Sequence, residues 1–376
     1  MNRLFSIFGL VLFLPFLPAG DSDVYNLKNE KKKAAIQMAL LLDTSNSMDG
    51  LIDQAKSQLW KMVNELATTQ KNGETPDIEI AIYEYGNDGL SVKSGYVRQV
   101  APLTNDLDEI SDQLFKLTTN GGSEYCAWAI KDAVKDLTWT NDAGDLRLIV
   151  IAGNEPFDQG PITPDEAVKD ATGKGICITT IFCGNWDEGA NTGWKLKSSR
   201  ADCEQYLNID MDQKVAHIPT PYDDRIIALN QALNATYVSY GREGEMKMMN
   251  QATQDMNAAS YSGASLRERA SFKAKKQYNN ASWDLVDAAE SDEEVIKDLK
   301  KEDLPDEMKN MNVEERKAYI EQKRQERENI RKEILDLETK ANAFVAEKQK
   351  EMAVTQTLDN VMKNSVRELA RAKGFE

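Results

Sequence analysis

The chain has 376 residues, of which 41% are hydrophobic and 29% are charged. This length exceeds one typical domain, so we expect two structured parts, and the hydrophobic fraction suffices for one sizeable core. The formal net charge of −16 argues against a surface for nucleic acid or anionic membranes, because both need clustered Lys and Arg.

The first 20 residues are typical of an export signal. Arg3 gives a positive start, and an apolar run follows over residues 4–17. An uncleaved membrane anchor is the alternative, but the run is short for a span of about 20 residues, and Pro15 and Pro18 interrupt it. We predict a cleaved signal peptide at 1–20, a periplasmic or secreted protein, and no transmembrane span after the signal peptide.

Between residues 33 and 241, strand-like runs alternate with amphipathic stretches. Continuous apolar runs such as ALLL and IVIAG are typical of parallel strands that are covered on both faces. The predicted strands are 34–42, 77–86, 96–103, 146–153, 176–184 and 204–210. The predicted helices are 48–67, 106–117, 124–139, 163–175 and 222–241. This alternation predicts an α/β fold, a doubly wound and mostly parallel sheet flanked by helices.

Beyond Gly241 the composition changes, and we predict a C-terminal helical or coiled-coil extension. Residues 242–310 are interpreted as a linker with helical segments, in which Trp283 and Leu285 pack back on the domain. Residues 311–372 are predicted to form a long charged helix or a coiled-coil hairpin. Five residues follow the 4-3-4-3 spacing of a coiled-coil seam: Ile330, Ile334, Leu337, Ala341 and Phe344. The spacing leaves open a dimer and an antiparallel hairpin with the final helix.

The segment LLDTSNSMDG ends the first predicted strand with three oxygen-bearing side chains at alternate positions, Asp43, Ser45 and Ser47. Mg²⁺ prefers about six oxygen ligands and keeps several waters. One carboxylate and two hydroxyls on a tight turn can face one ion and leave it electrophilic toward an outside anion. Helix capping is the alternative, but one such residue would suffice for a cap. We therefore predict a site for one divalent ion, Mg²⁺ or else Mn²⁺ or Ca²⁺.

These residues resemble the von Willebrand factor A family, whose metal-ion-dependent adhesion site begins with Asp-x-Ser-x-Ser at this topological place. The resemblance extends over about residues 33–241. It implies a Rossmann-like fold and a second site loop in which a hydroxyl follows a Gly pair. In TTNGGSEYC that position is Ser123, which we expect to be a ligand, with Thr118 and Thr119 as fallback hydroxyls.

The third site loop departs from the family's pattern. The family usually has Asp just after the fourth strand, and this chain has Gly153 there, in AGNEPF. Glu155 has the reach to replace that carboxylate, directly or through water, and the alternative is a solvated loop acid. We include it among the expected metal ligands. For Glu124 we favour an acid in the first turn of a helix.

Four cysteines remain in the exported part, Cys126, Cys177, Cys183 and Cys203. Export makes disulfides permissible, but none of the four has Cys-x-x-Cys spacing and their connectivity cannot be read from the sequence. One bridge with two buried thiols and two bridges both stay open. Because Cys126 and Cys183 should lie at the metal edge of the sheet, a bridge between them is one hypothesis.

The leading functional hypothesis is an exported protein-binding module of the cell envelope, not an enzyme. Its cation would accept a carboxylate from a protein partner that presents Asp or Glu. A Ser-His-Asp hydrolase would have to use His217, the only histidine, and the chain has no Gly-x-Ser-x-Gly elbow. The alternative is a structural or assembly protein that acts through self-association of its C-terminal helices and carries a degenerate metal site.

Overall fold

A six-stranded sheet with the order β3-β2-β1-β4-β5-β6 forms the centre of the computed structural model. The structure describes residues 33–184, 191, 193–195, 203–212, 217–350 and 358–376, so the signal peptide predicted at 1–20 lies outside the described residues. The strands are β1 (Ala35–Asp43), β2 (Asp77–Tyr85), β3 (Val97–Thr104), β4 (Leu146–Gly153), β5 (Cys177–Cys183) and β6 (Glu204–Ile209). Only β3 runs antiparallel to its neighbour within this sheet, so the predicted doubly wound, mostly parallel α/β architecture is confirmed.

Helices cover the sheet and continue to the end of the chain. Those of the described residues are α1 (Asp49–Leu66), α2 (Leu107–Lys116), α3 (Cys126–Asp136), α4 (Pro164–Gly173), α5 (Asp223–Asn234), α6 (Gly244–Tyr261), α7 (Gly263–Lys273), α8 (Leu285–Ser291), α9 (Val295–Asp298), α10 (Val313–Lys350) and α11 (Leu358–Ala372). The Thr163 side chain caps α4 by accepting a hydrogen bond from the Glu166 amide, and Pro164 begins the helix, a position that suits proline. No helix in the described part of the chain is long and apolar enough to cross a bilayer.

Two hydrophobic cores lie on opposite faces of the sheet. Along β1, Leu40 and Leu42 enter one core and Ala39 and Leu41 enter the other. This division follows from the strand geometry, in which successive side chains point to opposite faces. The strand β1 is apolar along most of its length because both of its faces are buried.

The C-terminal helices are part of the same compact unit, which extends over Lys33–Glu376. Helix α10 packs against α5, α7, α8 and α9, and α11 packs against α1 and β6. Ile334 and Ala341 of the predicted seam are fully buried, and Ile334 joins the same core as Met362 and Val366 of α11. Part of the apolar stripe of α10 is therefore buried against other segments of the same chain.

The segment that was predicted to pack back on the domain does so. Trp283 is 4% exposed and stacks on Tyr237, with 5.7 Å between the ring centroids. The backbone carbonyl of Trp283 accepts a hydrogen bond from the Tyr240 amide at 2.9 Å. Leu285 is fully buried in a separate cluster beneath α10. These contacts anchor α8 beside the end of the sheet domain.

Buried ion pairs join the helical layers. Arg327 of α10 lies 2.6 Å from carboxylate oxygens of both Asp284 and Asp287, and all three side chains are essentially inaccessible to solvent. Burial by itself would raise the pKa of Asp255 on α6, but Lys273 and other cations hold it well below the ordinary value. Such clusters fix the geometry of their layers because a lost partner would leave a buried charge.

One disulfide joins Cys177 to Cys203, and Cys126 and Cys183 are buried free thiols. The hypothesis of a Cys126–Cys183 bridge is therefore wrong. The reason is topological, since Cys126 lies in the core on one face of the sheet and Cys183 in the core on the other. Cys177 begins β5 and Cys203 directly precedes the paired strand β6, which places their Cα atoms 4.6 Å apart.

Candidate metal centre

The first site loop follows β1 at the carboxyl edge of the sheet. Asp43 is fully buried, and its Oδ1 accepts a hydrogen bond from the Ser45 amide at 2.8 Å. The hydroxyl oxygens of Ser45 and Ser47 lie 3.3 Å apart. Ser45 precedes the short 3₁₀ turn before α1, and its side chain accepts no capping hydrogen bond from that turn. The loop thus brings the three predicted oxygens together without using them as a helix cap.

Asp43 has an unusual environment for a carboxylate. Its Oδ2 is buried and has no hydrogen-bond partner in the structure's described part. Burial raises the pKa of Asp43 to about 7, and the nearby charges of Glu124 and Glu155 act in the same direction. An ionised carboxylate in this position is costly unless a cation compensates it.

The second site loop is attached to the first by backbone hydrogen bonds. The Asn46 amide donates to the Gly121 carbonyl at 2.8 Å. A Cβ atom on Gly122 would lie 2.4 Å from Glu124 Oε1 and 3.6 Å from Ser45 Cβ, so this glycine permits close approach of the two loops. Ser123 follows it, is partly buried and belongs to the loop that faces the Asp-x-Ser-x-Ser turn.

The two fallback hydroxyls, those of Thr118 and Thr119, lie earlier in the same loop. The Thr119 hydroxyl donates to a carboxylate oxygen of Asp49, which begins α1. The Thr118 carbonyl accepts a hydrogen bond from the Asn87 side chain at 3.1 Å. The Thr119 hydroxyl is therefore already engaged by α1, which favours Ser123 over Thr119 as the ligand.

In the third site loop, the close packing around residue 153 explains why the expected Asp is absent. Gly153 is closely surrounded, and a Cβ atom there would lie 2.4 Å from Tyr85 Oη and 3.0 Å from Asp43 Oδ2. The Tyr85 hydroxyl donates to the Ala152 carbonyl at 2.9 Å and so occupies the space that a side chain at 153 would need. Glycine is the residue that fits.

The next two residues of that loop face the site differently. Asn154 hydrogen-bonds to the Ser47 hydroxyl, with 3.1 Å between Nδ2 and Oγ, a contact that the sequence analysis did not identify. Glu155 is partly buried, and its backbone carbonyl accepts a hydrogen bond from Trp194 Nε1 at 2.8 Å. Its negative charge raises the pKa of both Asp43 and Glu124. The Glu155 side chain is thus electrostatically part of the site.

Glu124 is the residue that sequence reasoning placed wrongly. Helix α3 begins only at Cys126 and has no acid in its first turn, so Glu124 is a loop residue. Its side chain is 6% exposed and accepts a hydrogen bond from Gln159 at 3.1 Å. Burial raises its pKa. Its position directly after Gly-Gly-Ser was the available signal, but an acid near a helix start is common for other reasons.

The donor set is rich in hydroxyls. Among the residues that the structure describes, no three His, Cys, Asp or Glu side chains are grouped as they would be to hold a metal ion. The converging groups are one buried carboxylate, Asp43, and the hydroxyls of Ser45 and Ser47, with Glu124 and Glu155 nearby. Oxygen donors of this kind suit a hard cation, and the unpartnered Asp43 Oδ2 fits such an ion.

Part of the chain is similar to a known protein family. Residues 37–204 match the von Willebrand factor type A domain. None of the curated proteins matches this sequence.

Solved structures of 10–18% identity also resemble the chain. The SpRpn10 VWA domain is 15% identical with a TM-score of 0.34, and the match covers 49% of this chain and 100% of that one. Proximal thread matrix protein 1 from the mussel byssus, with a zinc-occupied MIDAS motif, is 10% identical with a TM-score of 0.35, covering 48% and 43%. An aerotolerance-related membrane protein from Bacteroides fragilis is 18% identical with a TM-score of 0.30, covering 47% and 92%.

The family match and the observed architecture agree. The matched region begins within β1 and extends to the first residue of β6. It contains the Asp-x-Ser-x-Ser turn at the end of the central strand and both of the other site loops. Domains of this family are often protein-interaction modules that carry a metal site. Residues 37–204 of this chain form a von Willebrand factor type A domain.

Proposed function

We propose that this protein is a metal-ion-dependent protein-binding module of the cell envelope, periplasmic or secreted. Asp43, Ser45 and Ser47 would hold one divalent ion, Mg²⁺ or else Mn²⁺ or Ca²⁺. The observation that carries the proposal is the buried Asp43 Oδ2, which lacks a hydrogen-bond partner in the described structure. Asp43 belongs to the same turn as the Ser45 and Ser47 hydroxyls, which lie close to each other.

Two further groups complete the proposed set. Ser123 would add a third hydroxyl from the second loop, and Glu155 would supply a carboxylate from the third, directly or through water. Glu124, buried between the loops, is a second source of negative charge. A bound divalent ion would supply a Lewis-acidic position for an outside carboxylate. Ser45, Ser47 and Ser123 carry no charge, so a partner that presents Asp or Glu would supply the further anionic ligand.

Export is supported by chemistry outside the site. The Cys177–Cys203 disulfide is of a kind that persists in oxidising compartments. The predicted signal peptide at 1–20 points the same way. Domains of the type A family bind protein partners, and the proposal narrows this to acidic ligands.

Calorimetric titration of the protein with Mg²⁺ and Mn²⁺ tests the proposal. We expect saturable binding of one ion by the wild type and its loss in Asp43→Ala. Ser47→Ala should weaken binding, whereas Ser260→Ala, at an exposed helical serine outside the site, should not. Absence of binding in the wild type, at concentrations up to millimolar, would remove the proposed activity and leave a scaffold.

A second candidate function is structural assembly through the C-terminal helices. The observation that favours it is Gly153, which leaves the third loop without the usual carboxylate. Two fragments distinguish metal-dependent binding from assembly: a chain that ends at Gly241 and a separate peptide of residues 311–372. Because α10 and α11 bury part of the main core, we expect the truncated chain to lose cooperative unfolding. Oligomers of the isolated tail in light scattering would instead support assembly.

A further inference from the structure

Helix α6 has an inverted pattern of burial. Its inward face is polar, with Gln251, Gln254 and Asp255 all at most 9% exposed. Gln254 accepts a hydrogen bond from Ser111 of α2 at 2.8 Å, and Asp255 pairs with Arg269 of α7. A surface helix ordinarily buries its apolar side and exposes its polar side. In α6 the polar side is the buried one.

The outward face of α6 is apolar instead. Within the described parts of the chain, five large hydrophobic side chains are exposed, and four of them are methionines of this one helix. Met246, Met249 and Met256 are 65%, 70% and 65% exposed. Exposed apolar groups scattered singly need no explanation, but a contiguous set on one helix face marks an interaction surface.

This face also lacks charge. Between residues 248 and 259, all of which the structure describes, the exposed positions are Met248, Met249, Ala252, Thr253, Met256 and Ala259. None of them is ionisable, in a chain of which 29% is charged. We refer to Met246 together with these positions as the methionine face. Long, unbranched methionine side chains adapt to varied apolar partners, which is why they are frequent at adaptable binding surfaces.

The edges of the methionine face are acidic. At the start of α6, the two exposed acids Glu243 and Glu245 outnumber the exposed Arg242. At its other end, Tyr261 donates a hydrogen bond to Asp53, an exposed residue of α1, at 2.9 Å. The one lysine of the helix, Lys247, is paired with Asp106 at 2.8 Å, so its charge is locally neutralised. An apolar strip with acidic ends is complementary to an apolar strip with basic ends.

We propose that the methionine face binds an amphipathic helix of a partner protein, with an apolar stripe and Lys or Arg beside it. The face from Met246 to Met256 is about 15 Å long at 1.5 Å per residue, which matches about three turns of a partner helix. Apolar anchors at i, i+3, i+4 and i+7 on that helix would contact the methionines. Basic residues at its ends would approach Glu245 and Asp53.

The proposed surface is distinct from the metal centre and does not depend on a metal. Its residues lie on α6, beyond the region that matches the type A family, whereas the site residues lie on loops within it. Binding at the methionine face should therefore persist in the presence of EDTA.

The probe is a designed 18-residue peptide. It has Leu at helical i, i+3, i+4 and i+7 spacing and Lys elsewhere. Anisotropy of the labelled peptide, titrated with the full chain in EDTA, reports binding. We expect micromolar affinity, at least about tenfold weaker binding of a scrambled peptide of equal composition, and no binding of the same pattern with Glu in place of Lys.

Variants separate apolar docking from general attraction to an acidic protein. Met249→Glu and Met256→Glu each add a negative charge, so simple electrostatic attraction to the Lys-rich peptide would become stronger. The methionine face predicts the reverse, a loss of about tenfold or more in affinity. Val92→Glu, at an exposed apolar position on another element, is the matched control and should not weaken binding. Both Met variants should retain the wild-type melting temperature, because the altered side chains are exposed.

Three outcomes would overturn the inference. The first is equal affinity of the ordered and scrambled peptides. The second is unchanged or tighter binding by Met249→Glu and Met256→Glu. The third is a wild-type dimer in sedimentation that Met249→Glu converts to a monomer, which would assign the face to a second copy of the chain.

Discussion

The hydroxyl of Tyr85 fills the position that a side chain at residue 153 would occupy. A Cβ atom on Gly153 would lie 2.4 Å from Tyr85 Oη, whereas its next contacts are at 3.0 and 3.2 Å. The exchange of Asp for Gly in the third site loop is therefore linked to a tyrosine at the end of β2. We expect Gly153→Ala to lower the free energy of unfolding by about 1–3 kcal/mol through overpacking.

A double-mutant cycle tests that linkage. Tyr85→Phe removes the closest atom, so Gly153→Ala should cost less in the Phe background than in the wild type. Urea unfolding of the four proteins measures the coupling. Additive effects of the two substitutions would show that Tyr85 does not determine the residue at 153.

Asp43 should make stability depend on pH. Its folded-state pKa is about 7, against an ordinary value of 3.8. The unfolded chain therefore loses this proton first, and the wild type becomes less stable as pH rises from 3.8 to about 7. Asp43→Asn removes that dependence and keeps an acceptor for the Ser45 amide. In EDTA, we expect the variant to gain about 1–3 kcal/mol over the wild type between pH 4 and pH 8.

Urea unfolding at pH 4 and pH 8 measures this difference. Adding Mg²⁺ at pH 8 should stabilise the wild type and leave Asp43→Asn unchanged, since a ligand that binds only the folded state raises the free energy of unfolding. A constant difference between the two proteins across the pH range would contradict the assignment of a buried, protonated Asp43.

Glu124 and Glu155 are expected to contribute unequally to metal binding. Glu124 is almost fully buried, whereas Glu155 is partly exposed and therefore better screened. We expect Glu124→Gln to weaken Mg²⁺ binding by about tenfold and Glu155→Gln to weaken it less. Glu166→Gln, on the exposed side of α4, controls for the loss of one negative charge. Calorimetry on the three variants ranks them, and equal affinities would remove both acids from the site.

Arg327 should be important for the attachment of α10. Replacing it with Met leaves Asp284 and Asp287 buried without their main cation, which we expect to cost about 3–5 kcal/mol. Arg324 pairs with Glu321 on the exposed side of the same helix, and Arg324→Met should cost less than about 1 kcal/mol. Thermal and urea unfolding compare the two, and similar losses would contradict a structural role for the buried cluster.

The Cys177–Cys203 disulfide should stabilise the fold. It closes a loop with a sequence separation of 26, and its removal in Cys177→Ser/Cys203→Ser should cost about 3–4 kcal/mol. Alkylation and peptide mass spectrometry check the pairing. Cys126 and Cys183 should react only after denaturation because both are buried. Recovery of a Cys126–Cys183 peptide would refute the observed connectivity.

The sequence determined the elements whose signals are local. Runs such as ALLL and IVIAG predicted buried strands, and Asp43, Ser45 and Ser47 marked the turn after the first of them. The prediction worked because a strand that is buried on both faces needs apolar residues at every position. The family resemblance drawn from that turn was confirmed over residues 37–204.

Only the tertiary structure decided what depends on contacts between distant segments. The Cys177–Cys203 pairing follows from the pairing of β5 with β6. Cys126 and Cys183 lie in the cores on opposite faces of the sheet and are therefore kept apart. The burial of Glu124 depends on close packing against Gly122 and on a hydrogen bond from Gln159, which lies in a different loop. The outward methionines of α6 depend on a polar interior supplied by α2 and α7. Local periodicity carries no information about such partners, because a side chain's environment is set by whatever the fold brings beside it.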